Sequence, residues 1–113
     1  MNVNPLILQL KELTGLDVVP DYYEGKADKW ITFTYEDERP VQKGDNAVTW
    51  DIAYMQVSLF TPKKYNHMTL KETIKTYLES IGVVTNVTSW MDKDNETIIR
   101  QTTFNCQIEK ERL

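Results

Sequence analysis

The sequence predicts an α+β fold, a mostly antiparallel sheet with two helices packed on one face, in the order α-β-β-β-α-β-β. Three observations predict it. Two segments carry apolar residues at helical spacing, near residues 3–13 and 70–81. Several others alternate apolar and polar with period two. Turn-forming residues separate them, and helices with a single apolar face each suit one side of such a sheet. With 113 residues, 41% hydrophobic and 27% charged, residues 1–113 are expected to form one domain around one core.

The elements follow in order. Val3, Leu6, Ile7, Leu10 and Leu13 define the first helix, with Asn4 as its cap, Pro5 in its first turn and Gly15 as its left-handed stop. Residues 17–19 form a short strand ended by Pro20, and the polar stretch 22–29 is a loop. In residues 30–35, Ile31, Phe33 and Tyr35 share one strand face while Trp30, Thr32 and Thr34 share the other. Residues 36–47 mix Pro, Gly, Asp and Asn without an apolar period, which predicts a long exposed loop. The strand over 48–60 changes its apolar face midway, so that either both faces are covered or a bulge intervenes. Thr69 and Glu72 have the spacing of a capping box ahead of Leu70, Ile74, Tyr77, Leu78 and Ile81, and Gly82 closes this second helix. A hairpin of residues 83–91 and 97–109, turning at 92–96, completes the chain.

Composition narrows the function classes. The net charge is −4 and no Lys/Arg stripe offsets it, so nucleic acid is not an expected partner. Apolar runs fall far short of the ~20 residues needed to span a bilayer, and the N-terminus lacks the charged opening of a signal peptide. No membrane association is expected. Cys106 alternates with Phe104 and Ile108 and is expected to act as a buried small hydrophobe.

The candidate chemistry is thin. His67 is the sole histidine, in a polar loop, and neither a metal site nor a catalytic pair can be built on it alone. Asp92, Asp94 and Glu96 begin like a calcium loop, but Thr97 stands where glycine is needed and Thr103 where a chelating carboxylate is needed. The cluster at Glu36, Asp37 and Glu38 reads as solvated charge. No cofactor, no metal and no catalytic residue is expected, and the chain is not expected to be an enzyme. Interface residues are expected instead: Asp37, Glu38, Arg39, Lys43 and Asp45 in the charged loop, with Trp30, Trp50 and Tyr65 as aromatic contacts.

Taken together, the opening helix, residues 30–35 with the acidic stretch after them, residues 54–60, Tyr65, the helix 70–81 with Gly82, and the closing hairpin with Phe104 carry a family resemblance. The chain resembles the small tail-terminator or tail-completion proteins of siphophages and Gram-positive prophages, over nearly its whole length. The resemblance implies a virion structural protein, assembled in the host bacterial cytoplasm. It implies a ring homo-oligomer, a hexamer among the possible sizes, that ends tail growth and joins the tail to the head. Its implied partners are further copies, the major tail protein and head connector proteins. Neighbouring head-closure or tail-assembly roles stay open, as does a ferredoxin-like binding or regulatory domain, which would be marked by a defined apolar pocket.

Overall fold

The computed structural model describes residues 4–43, 48–94 and 97–111. Its elements are α1 (Asn4–Thr14), β1 (Asp17–Pro20), β2 (Trp30–Lys43), β3 (Val48–Pro62), α2 (Met68–Ile81), β4 (Val83–Asp94) and β5 (Thr97–Glu111). The five strands form one sheet in the order β1-β2-β3-β5-β4. The expected architecture is met in part. The fold is α+β with both helices on one face, but the sheet is mixed, because β1 runs parallel to β2. The polar connection 21–29 returns the chain to the starting end of β1, which a tight turn could not do.

The helix-covered face follows from period-two placement. In register across the sheet, Ile31 faces Leu59 and Thr102, while Phe33 faces Val57, Phe104 and Val87. Leu10, Ile74 and Leu78 close over these rows, and all three are fully buried. Cys106 and Ile108 belong to the same core, as their alternation predicts. In β3, Ala53, Met55, Val57 and Leu59 are buried on the helix side while Ile52 and Ser58 are buried on the other, so both faces are covered in part and β3 itself carries no bulge. The bulges lie in β2, between Tyr35 and Asp37, and in β4, between Val84 and Asn86.

Two local expectations need correction. Residues 36–43 are not a loop; they extend β2, and residues 37–43 pair in register with residues 48–54 of β3 after a bulge at Glu36. The backbone ladder to β3 holds this arm, and such a ladder needs no alternating apolar face. Residues 44–47 lie outside the described residues. The capping box at Thr69 does not form either. The helix begins at Met68, whose N–H donates to Asn66 Oδ1 at 3.1 Å, so the cap precedes Thr69. Gly82 closes α2 as expected, its N–H donating to the Leu78 carbonyl, in an extended conformation at φ −173°, and Gly15 takes the left-handed φ of 71° expected of it. Gly82 is required for space: a Cβ there would collide with the backbone carbonyl of Gln107 on β5. That contact lets the end of α2 lie directly on the sheet.

The molecule measures 56 × 23 × 22 Å. Its length comes from the strands. The β2–β3 hairpin extends beyond one end of the core, and the β4–β5 hairpin passes the end of β3 at the other.

Candidate functional site

The sheet face away from the helices is built from three cross-strand rows. The first holds Trp30, Phe60, Gln101 and Trp90; the second Thr32, Ser58, Thr103 and Thr88; the third Thr34, Gln56, Asn105 and Asn86. None of these twelve residues is charged. Ser58 Oγ and Thr103 Oγ1 lie 3.0 Å apart and satisfy each other while buried. Thr61, which falls on the helix side, contrasts with them. Its Oγ1 is buried without a hydrogen-bond partner among the described residues.

At one corner of this face, Trp30 is stacked between two rings. Its centroid lies 4.9 Å from Tyr23 at 14° and 5.1 Å from Phe60 at 13°. Tyr23 is held by its own hydroxyl, which donates to Asp17 Oδ2 and accepts from the Ala27 N–H, both at 3.1 Å. Lys29 places its ammonium 4.7 Å from the centroid of the Tyr65 ring. Two expected interface residues, Trp30 and Tyr65, thus meet at this corner through the residue preceding Trp30. Tyr65 is more than a third exposed, while Trp30 is half-buried in its stack.

The other expected residues lie elsewhere. Trp50 is ten positions along β3 from Phe60, about 34 Å at ~3.4 Å per residue, where it pairs with Val41 and Glu111. Asp37, Glu38, Arg39 and Lys43 sit on the same arm, opposite Tyr54, Ala53, Ile52 and Val48. The side chains of residues 35–50 are outside the described structure, as is Asp45 entirely. The expected residues therefore form two groups at opposite ends of β3.

One surface was missed by sequence reasoning. β4 forms an edge of the sheet, and Val83, Trp90 and Met91 along it are exposed, as is Ile98 beside it on β5. The signal was present: residues 83–91 contain no charge, no proline and no glycine, which is unusual for an edge strand.

The titratable groups offer little chemistry. Desolvation holds the His67 imidazole below its usual pKa, assisted by the positive charges of Arg100 and Lys71, so it is neutral at pH 7. Burial raises the Tyr77 hydroxyl. Among the described residues, no three His, Cys, Asp or Glu side chains converge as a metal site would require. No helix of the described residues is long and apolar enough to cross a membrane. A shallow groove lies where Leu13 of α1 meets Glu72, Thr76 and Tyr77 of α2, on the outer surface of the helix layer.

Neither a family model nor a curated protein matches the chain. Among solved structures, it is similar to a chain in the virion of a native gene transfer agent particle, with a TM-score of 0.51 and 13% identity. The similarity covers 91% of this chain and 84% of that one, so the two share a fold over nearly their full lengths.

Proposed function

We propose that this protein is a structural subunit of a phage-like virion, forming a ring at the head-proximal end of the tail tube that ends tail growth and joins tail to head. The observation that carries the reading is the pair of long, uncovered sheet edges, on a fold shared with a virion chain. A subunit that closes a ring needs two different patches that meet head to tail, and two opposite edges of one sheet supply them. The uncharged polar face and the aromatic corner add contact surface without adding a reaction. On this reading its partners are further copies of itself, the major tail protein and the head connector.

The role has a direct genetic test. Deleting the gene from the host that produces the particle, then imaging lysates by electron microscopy, should reveal tubes of uncontrolled length beside heads without tails. Particles of normal shape and tail length in the deletion strain would overturn the proposal.

A further inference from the structure

We infer that neighbouring copies join by strand addition, the outer edge of β4 in one copy pairing antiparallel with the free outer edge of β2 in the next. The inference rests on the ring reading and specifies the joint it requires.

The sheet has two edges that end very differently. On one side, β1 covers β2 only from Trp30 to Phe33, and among the described residues no strand pairs with the outer side of residues 34–43. On the other side, among the described residues no strand pairs with the outer side of β4, which pairs with β5 on its inner side. An open edge presents a row of backbone donors and acceptors and acts as a template for another strand. Proteins that stay monomeric blunt such edges with lysine, proline or inward charge; residues 83–91 carry none of these, whereas Asp92, Lys93 and Asp94 charge the far end of β4 and Pro40 and Lys43 stand on β2. A single bulge between Val84 and Asn86 interrupts the edge near its start and leaves the rest regular.

Direction, charge and stagger select the partner. β2 and β4 run antiparallel to each other within one subunit, since three antiparallel pairings separate them. A rotation that brings β4 beside the next copy's β2 therefore continues an antiparallel sheet and keeps every helix layer on the same side. A two-fold β2–β2 contact would join identical patches and close as a dimer, whereas a ring needs two different ones; the uncharged 83–91 stretch also sets no like charge against Glu36, Asp37 and Glu38. The midpoint of the free β2 edge lies level with Ile52 and Ala53 of β3, and that of β4 lies, through Thr102 and Thr103, level with Ser58 and Leu59. This stagger of about six residues, ~20 Å, over a four-strand repeat of ~19 Å tilts the strands by roughly 45°, the upper part of the range found in closed sheets.

Amide hydrogen exchange on the single subunit and on the assembled form, separated by size, tests the joint. Peptides covering 34–43 and 83–94 should both slow, on the order of tenfold or more, on assembly, while those of α2 change little. Protection of 83–94 alone would indicate a two-fold β4–β4 contact and overturn the inference. An assembled ring in which neither edge gains protection would overturn it too, while leaving the ring reading in place. A protein that assembles neither alone nor with isolated tail tubes would overturn both.

Discussion

The two faces of the sheet use the same strands for opposite ends. On the helix side, Phe33, Val57 and Phe104 lie in one row under Ile74 and Leu78, and every member is buried. On the other side, one residue along each strand, Thr32, Ser58 and Thr103 are almost equally buried but polar; the Ser58 and Thr103 hydroxyls pair with each other, and Thr103 also accepts from the Gln101 amide. The first face supplies most of the favourable burial free energy. The second supplies little of it, and it leaves a flat, uncharged surface flanked by open edges. The difference teaches that the fold is held from one side, while among the described residues no helix covers the other.

The largest effect that can break this comparison is in the helix layer. Leu78→Ala should destabilise the protein by about 2–5 kcal/mol in chemical denaturation, because Leu78 is fully buried against the sheet. A loss under about half a kilocalorie, the range of surface substitutions, would mean that the helix face does not hold the fold.

Next in size is Gly82→Ala, expected to cost about 1–3 kcal/mol, since the added methyl must displace the Gln107 backbone. A thermal midpoint equal to that of the wild type would show that α2 does not lie directly on β5.

Smaller and opposite effects separate two buried hydroxyls. Ser58→Ala should cost about 0.5–1.5 kcal/mol through loss of its bond to Thr103. Thr61→Val should be neutral or stabilising, because the Thr61 hydroxyl has no partner to lose. Equal losses in both variants would erase the distinction between a satisfied polar row and an orphaned group.

The smallest effect is a pH dependence. The folded His67 has a pKa below 6.5, so the unfolded chain binds its proton first as the pH falls. Its contribution to stability is complete above about pH 6.5 and is lost as the pH falls toward the folded value. Acidification from about pH 7.5 to about pH 5.5 should therefore lower the denaturation midpoint more in the wild type than in His67→Gln. An equal or larger drop in the variant would remove His67 as the cause.

Much of the helix-covered face was legible in the sequence. Period-two runs at Ile31 and Phe33 and at Phe104, Cys106 and Ile108, with the helical stripe through Ile74 and Leu78, marked the residues that the structure buries. The second face and the arm were harder to read, for a physical reason. Residues 36–43 are held by backbone pairing with β3, and a ladder of that kind leaves no side-chain period. The helix start at Met68 escaped notice because Asn66, two residues upstream, accepts the N–H that a capping residue at Thr69 would leave behind. Among the candidate interface residues, Trp30 and Tyr65 converge because Lys29 links them, a contact between residues 36 apart in sequence. The edge formed by residues 83–91 of β4 was visible only as a lack of charge, which acquires meaning once topology makes the strand an edge.

The central claim, that this subunit works by closing on copies of itself, is tested most directly by native mass spectrometry of the purified protein, alone and with isolated tail tubes. The account predicts one dominant species at a fixed multiple of the 13.3 kDa protomer, with no ladder of intermediate sizes, since a heterologous contact that closes stops growing. A protomer mass under every condition, or an open-ended series of multiples, would contradict it.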